Sequence, residues 1–508
     1  MATTGNVQIS IVDNGGSSNI LVAAPTVIAV AGCSSAGTVG QFVSTRSALT
    51  IVSSFGYGPL SELCALLISK GATVIASKLA KGSAGTATAV THTGGGASVM
   101  TTTLDATSGA YDTYCVKVTI VGSGTVGTSN ATFTLSLDAG RTTGPVIQLV
   151  SPAATYAIPN TGIVLNFTAA TLVAGAVYTF STVEQSPNAA GIQAWLAALQ
   201  ASPYATAGWG NMIVASSPAA ASALTGANIT TIQGSLDTLA TGYLFERCMF
   251  AARDLAEPVA WGGAGETEPA WVSSIETDYS ATTAKRCLVA AGYYNVPSGI
   301  DNSAAGTPRY RRPLSWSIAA RKVAKAIQVL SSRVKDGALE SIIVDPTNDP
   351  NDGFVYHDER VTPGLDAAHF ASAWTRLGQG QGFFVRSENL AIMGAPSSDF
   401  SLLAFGACFD AFCSSLVQYL TAAIDETVRT NRNGTIYEND AQTLEAGALS
   451  AVAQSLTGAY QPANTSVVID RAYNVKSNSK VLINGTFGGL AYMREFDLTV
   501  QVQNPSAA

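Results

Sequence analysis

Between residues 82 and 185 the chain changes its period. Segments such as YCVKVTIVG, ATFTLSLDAG, GPVIQLV and GIVLNFT are short, rich in strand formers and cut by Gly, Asn and Pro. That spacing belongs to a β-sandwich or barrel. The flanks read differently. Before the stretch come a buried strand, TVIAVAG, helices at 45–56 and 60–70, and a second strand, ATVIASKL. From 186 onward helix and strand alternate: GIQAWLAALQ, NMIVASSP, TTIQGSLDTLAT, RCMFAAR, then a helix over TEPAWVSSIETDYSATTAKR followed by CLVAAGYYNV. Such βα pairs call for a parallel sheet covered by helices. The β stretch, nearly free of charge, therefore reads as an independent module inserted into an α/β chain.

Further on, RYRRPLSWSIAARKVAKAIQVLSSRVK suggests a basic helix from about 310 to 335, an exposed face or a contact with an acidic partner. Near 380 the texture changes again. GFFVRSENLAIM reads as a strand pair, AFGACFDAFCSSLVQYLTAAIDETV as a long apolar helix and DAQTLEAGALSAVAQSLTG as an amphipathic one. Three strands close the chain: SVVIDRA, KVLINGTF and REFDLTVQVQN.

The 508 residues suggest three or four domains. Only 12% of them are charged, too few to cover a large free surface, so much of that surface is expected to be buried against other subunits. A low-charge secreted protein is the plainer alternative. The net charge of −7 argues against a general nucleic-acid binder, which needs cations for the phosphates. Seven scattered cysteines read as buried free thiols of a reducing compartment. The opening MATTGNVQIS lacks the features of a signal peptide, and no run approaches 18 uninterrupted apolar residues, so the expectation is a soluble intracellular chain with no membrane insertion.

Motifs for chemistry are sparse. FGYGPLSEL at 55–63 looks like a phosphate loop but lacks its third glycine and follows a helix. It reads better as a helix-loop-helix corner, eased by Gly56 and Gly58, with Pro59 opening the second helix. His92, His357 and His369 have no metal spacing. GCSSAG at 32–37 lacks the spacing of a nucleophile elbow. The acidic loop DPTNDPNDG at 345–353 fails the calcium-loop pattern, and the carboxylates Glu266 with Glu268, or Asp358 with Glu359, read as solvated charge. No catalytic, cofactor-binding or metal-binding set is expected, and hence no enzyme.

The first strand, in VQISIVDNGGSSNI, alternates and then dissolves into Asn, Gly and Ser, and the last strand mirrors it beyond Gly488 and Gly489. An alternating strand on a flexible linker leaves its N–H and C=O groups free to join a neighbour's sheet. Ten extended residues reach about 33 Å, enough to cross into an adjoining subunit.

Four stretches in this order resemble the contractile tail sheath proteins of myophages, in particular the Mu-like sheath subunits: FGYGPLSELCALLISKGATVIASKL at 55–79, YDTYCVKVTIVGSGTVGTSNATFTLSLDAGRT at 111–142, GTIYENDAQTLEAGALSAVAQSL at 434–456 and the run from SVVIDRA to VQVQNP at 466–505. The resemblance implies a multidomain α/β and α+β fold. A core from both chain ends would be split into 24–81 and 381–488. A β-sandwich or barrel-like domain (82–185) and an α/β domain (186–380) would be inserted, with extended arms at 1–23 and 489–508.

The resemblance further implies hexameric rings of this chain stacked into a helical sheath around an inner tail tube protein. Baseplate and tail terminator proteins would bound the sheath, and contraction would drive the tube through the target envelope. Assembled in the host cytoplasm, the chain would end in the virion tail. Strands exchanged between subunits would include Val7, Ile9, Ile11 and Val12 at one end and Phe496, Leu498, Val500 and Val502 at the other. Gly15, Gly16, Gly488 and Gly489 would be hinges, receiving strands would lie within 466–484, and Arg429 and Arg432 would face an acidic tube. The alternatives are the sheath of a headless, tailocin-like injection particle and, from another class, a low-charge α/β hydrolase with a β insert.

Overall fold

Seven strands set the framework. The computed structural model describes residues 26–205, 211–215, 224–254, 266–299, 305–339, 364–375, 383–395, 398, 400–424 and 426–491. The sheet runs in the order Phe42–Thr45, Thr73–Lys78, Val27–Gly32, Asn211–Val214, Arg247–Ala251, Ala284–Ala290, Leu390–Ala391. Its five middle strands are parallel and its two edges antiparallel. Parallel strands are buried on both faces, and every residue of Asn211–Val214 and Arg247–Ala251 is buried. The stretches 24–81 and 186–380, expected in separate domains, thus contribute to a single sheet.

Side chains alternate between the two faces of that sheet. Ile28 and Val30 point into a core with helices α1 (Ala48–Phe55) and α2 (Pro59–Ser69), through Ile51, Phe55, Leu60, Leu63 and Leu67. Ala29 and Ala31 meet α3 (Ala189–Ala201), α4 (Gly226–Thr241) and α5 (Glu268–Tyr279), with Trp195, Ile232 and Trp271 at the centre. Local signals start these helices. The Ser47 side chain accepts from Thr50 N at α1, Pro59 occupies the first turn of α2, and Asn188 Oδ1 accepts from Gly191 N at 2.7 Å at α3.

Three expectations need correction. The helix anticipated through 286 ends at Tyr279, because Ala284–Ala290 has its place deep in the sheet. The basic helix of 310–335 is shorter: Arg309–Pro313 is a strand paired with Tyr293–Pro297, α6 covers only Leu314–Ala324, and Lys325 is already extended. In GFFVRSENLAIM the two strands do not pair with each other. Phe383–Val385 joins Ala373–Thr375, whereas Leu390–Ala391 edges the main sheet.

The β module is a two-layer sandwich. One sheet holds Ile147–Leu149, Ala131–Ser136, Cys115–Gly122, Val177–Val183 and Thr86–Ala87 in that order, and the other holds Thr155–Ile158, Ile163–Phe167 and Met100–Leu104. Val116, Val118, Ile120, Phe133 and Leu135 from the first share one core with Ile163, Leu165 and Phe167 from the second. Tyr310, within the strand Arg309–Pro313, and Ala305 just before that strand enter the same core from the α/β body. The module is held by more than its two chain connections.

At the other end of the sheet, α7 (Leu403–Ala422) packs on α8 (Glu438–Ser455) through Phe412, Cys413 and Leu416 against Ala448, Val452 and Leu456. Beyond them Ser466–Ile469 and Ile483–Thr486 form an antiparallel hairpin that pairs with no other strand among the described residues.

Candidate functional site

The five parallel strands have the order 2-1-3-4-5 of a doubly wound sheet, in which ligands bind outside the carboxyl ends where the order reverses. That switch point lies between Val27–Gly32 and Asn211–Val214, and the FGYGPLSEL corner sits over it. Gly58, at φ 127°, turns the chain between α1 and α2. The chain's own side chains occupy the ground around the corner. Trp316 Nε1 donates to Ala215 O at 3.0 Å. Arg312, on the hairpin, gives Nη1 and Nη2 to both oxygens of Asp112 in the β module at 2.8 and 2.6 Å, and its guanidinium stacks on Tyr310 and Trp316. Glu62, in the first turn of α2, accepts from Ser298 Oγ at 2.5 Å and Gly299 N at 2.7 Å. Burial pushes the Glu62 carboxyl up to about 7, against the pull of Arg312.

A second buried cluster lies at the amino ends of the strands. Asp410 of α7 takes Arg247 Nε on one oxygen at 2.7 Å and Arg286 Nη1 on the other at 3.0 Å. Glu246 is buried beside them, and its carboxyl is held well above the usual range by burial and then by Asp410. Gly406 lets α7 approach: a Cβ there would stand 2.2 Å from the Arg247 guanidinium carbon. One turn earlier, Glu388 accepts from Lys322 Nζ at 2.7 Å, from Ser331 N and Oγ at 2.8 Å each, and from Ala404 N at 2.8 Å, placing an anion at the start of α7. Among the described residues α7 is the one helix long and apolar enough to cross a membrane, yet half of its most apolar window is buried inside the protein.

These clusters revise the reading of the basic segment. Arg312 and Lys322 are buried ion-pair members, Arg311 pairs with Asp254, and Arg321 donates to the carbonyls of Ser331 and Gly337. The acidic partners are within the chain. Glu266 likewise is held by Arg253 through two bonds of 2.6 Å rather than left to solvent. None of these side chains belongs to a motif. The signal in sequence is one charge, or an adjacent Glu–Arg pair, inside an apolar run, as in PLSELCALL, GACFDAFC and LFERCMFAA.

The remaining candidates fall as follows. His92 stacks on Tyr178 at 4.5 Å, His369 sits in a turn at φ 61°, and His357 and the 345–353 loop lie outside the described residues. Ser34 of GCSSAG donates to Ala36 O within its own turn. The cysteines are free, all buried except the half-buried Cys115. Among the described residues no cluster of three or more His, Cys, Asp or Glu could hold a metal ion.

Val7, Ile9, Ile11, Val12, Gly15, Gly16, Phe496, Leu498, Val500 and Val502 also lie outside the described residues. Gly488 and Gly489 are buried. Gly488 N donates to Thr465 Oγ1 at 3.1 Å, its carbonyl accepts from Gln461 N at 3.0 Å, and Gly489 lies against the Phe405 ring. Arg429 and Arg432 sit in one exposed loop but differ: Arg429 is engaged by Asp440 and stacks on Tyr437, whereas Arg432 stands exposed on the turn before Gly434.

The described ends of the chain share one pole. Thr26 precedes the first parallel strand, and Gly489 touches the helix that packs on Arg247, the first residue of a strand two places away, a lateral step of ~10 Å. The hairpin of Ser466–Ile469 and Ile483–Thr486 packs on α7 and α8 through Val467 and Ile483. On its inner strand, Ile469 N donates to Glu445 at 2.6 Å. The strand Ile483–Thr486 has its outer edge unpaired among the described residues. The β module occupies the opposite pole, beyond the carboxyl ends of the strands.

The fold is thus a mixed α/β assembly of a doubly wound sheet, a β-sandwich and a helical C-terminal part. Solved structures similar to it are sheath tail proteins. One from Listeria innocua is 12% identical with a TM-score of 0.45, covering 94% of each chain. One from Desulfitobacterium hafniense is 11% identical with a TM-score of 0.43, covering 96% of this chain and all of the other. The contracted helical sheath of the anti-feeding prophage is 10% identical with a TM-score of 0.45, covering 99% of this chain and 100% of that one. No protein-family model and no curated protein matches the sequence.

Proposed function

We propose that this chain is a structural subunit of a contractile tail sheath, built to polymerise with copies of itself around an inner tube. The four sequence stretches that resemble sheath subunits motivate the reading. The observation that carries it is the hairpin of Ser466–Ile469 and Ile483–Thr486, which packs on α7 and α8 and has one edge unpaired among the described residues. A strand edge without a partner invites addition of an extended segment from a neighbouring subunit. The alternating segments Val7–Val12 and Phe496–Val502 are the strands to be donated, with Gly15 and Gly16 easing the first arm. Gly488 and Gly489 would serve as the second hinge. Gly488 N donates to the Thr465 hydroxyl and its carbonyl accepts from Gln461 N, so the joint keeps its angle until those bonds break.

In this reading, added strands keep subunits connected while side-chain contacts between bodies exchange for a larger set, so that contraction needs no nucleotide. Hexameric rings, the tube, the baseplate and the terminator are the partners. Of the two arginines offered to the tube, Arg432 is the better placed, since it stands exposed on its turn whereas Asp440 engages Arg429. The test is negative-stain microscopy of the expressed full chain and of a variant lacking residues 1–20. Striated or hollow tubes from the full chain, and a soluble folded subunit without ordered assembly from the variant, are expected. A full chain that stays monomeric at high concentration overturns the assembly reading. Tubes from the truncated chain overturn strand exchange alone.

A further inference from the structure

The hairpin of Tyr293–Pro297 and Arg309–Pro313 belongs to the α/β body by connectivity, yet its second strand and Ala305 before it enter the core of the β module. Besides Ala305 and Tyr310 in the sandwich core, Arg309 N donates to Asp138 Oδ2 at 3.1 Å and Arg312 holds Asp112. The same hairpin reaches back to the body through Ser298 and Gly299, both bonded to Glu62 on α2. Three parts of the molecule therefore meet at one buried set of charges: α2, the hairpin and the module.

The charges do not balance in both protonation states. Asp112 already takes both Nη groups of Arg312, so that pair is neutral by itself; an ionised Glu62, although Arg312, Ser298 and Gly299 favour it, adds a second carboxylate in a place that burial shuts off from water. The groups facing Glu62 are Arg312, Ser298 and Gly299 from the hairpin and Asp112 and Tyr114 from the module; Glu184 of the module also faces Arg312. An added buried charge is relieved only by admitting water. We propose that the hairpin is a proton-controlled clasp, closed on the β module while Glu62 is protonated and loosened when Glu62 ionises.

The sign follows from linkage. Burial raises the Glu62 carboxyl from its usual 4.5 to about 7 in the closed clasp, and opening returns it to solvent. The closed form thus binds more protons between these values, and opening becomes easier as pH rises through that window and levels off above it. Applied to pH 5 and pH 8, those two values make the opening constant roughly 70-fold larger at the higher pH. Hydrogen exchange of the hairpin amides in the full chain, corrected for intrinsic rates, reads this directly.

Glu62→Gln should flatten the profile. Ser298→Ala should move its midpoint to higher pH, because the lost hydrogen bond favoured the ionised carboxylate. A flat wild-type profile overturns the clasp, and so does a Glu62→Gln variant that keeps the slope. Should Glu62→Gln fail to fold, an unmoved midpoint in Ser298→Ala overturns it equally.

Discussion

The sheet is fastened at its two ends by ion clusters of opposite balance. At the carboxyl ends one guanidinium, Arg312, serves Asp112 and lies near a second carboxyl, Glu62. At the amino ends one buried carboxylate, Asp410, serves two guanidinia, Arg247 and Arg286, the second of which also reaches the exposed Asp237 at 3.4 Å, while burial holds the Glu246 carboxyl well above the usual range. The difference matters because a surplus carboxyl can shed its charge within the physiological range, whereas a surplus guanidinium cannot. The acid-rich end is therefore adjustable and the base-rich end is locked. The adjustable end carries the β module, and the locked end carries the helices and hairpin from which the chain termini depart.

Asp410→Asn should break the locked end with the largest effect. It leaves the buried Arg247 guanidinium without its carboxylate and Arg286 with only the exposed Asp237, a loss of about 3–5 kcal/mol of the kind seen when one partner of a buried pair is removed. Urea unfolding followed by tryptophan fluorescence should show the midpoint fall, and a change within experimental error would refute the assignment of Asp410 as the lock.

Asp112→Asn should cost less, about 2–3 kcal/mol, because Glu62 stands close enough to ionise and replace the missing charge on Arg312. The same substitution removes the repulsion that Asp112 exerts on Glu62 and frees Arg312, so the carboxyl of Glu62 should titrate well below its present value of about 7. The pH dependence of hairpin exchange would move with it to lower pH. Equal losses from Asp112→Asn and Asp410→Asn would erase the distinction between the two ends.

Much of this architecture is legible in sequence. The corner at Gly56–Pro59, the helices α1, α3, α4, α7 and α8, and the sandwich strands follow from period, caps and turn residues, which act locally. What could not be read is non-local. Nothing in TVIAVAG says that it pairs with NMIV some 180 residues later, a pairing set by burial on both faces of the sheet. The segment RYRRP carries three arginines that suggest an exposed helix, yet alternation places Tyr310 and Arg312 on the buried side of a strand, where Asp112 waits 200 positions earlier in the chain. Gly488 and Gly489 read as a flexible joint because glycine permits motion. In the fold Asn464 and the Phe405 ring fill the space that side chains there would need.

The exposed pair Arg429–Asp440 gives the smallest expected effect and the sharpest contrast with both buried clusters. Its geometry is good: Arg429 Nε donates to Asp440 Oδ1 at 3.0 Å, Arg429 N donates to Oδ2 at 2.7 Å, and the guanidinium lies 4.9 Å from the centre of the Tyr437 ring. Arg429 stands largely in water, which screens the attraction to the half-buried Asp440 and keeps the desolvation penalty small. Arg429→Ala should therefore leave the unfolding midpoint of the isolated subunit unchanged and insensitive to added salt. Because the backbone N–H of Arg429 survives the substitution, the loop keeps one of its bonds to Asp440. A loss comparable to that of Asp112→Asn would mean that hydrogen-bond geometry, rather than burial, sets the strength of these pairs, and the contrast between the two ends of the sheet would have to be rebuilt on that basis.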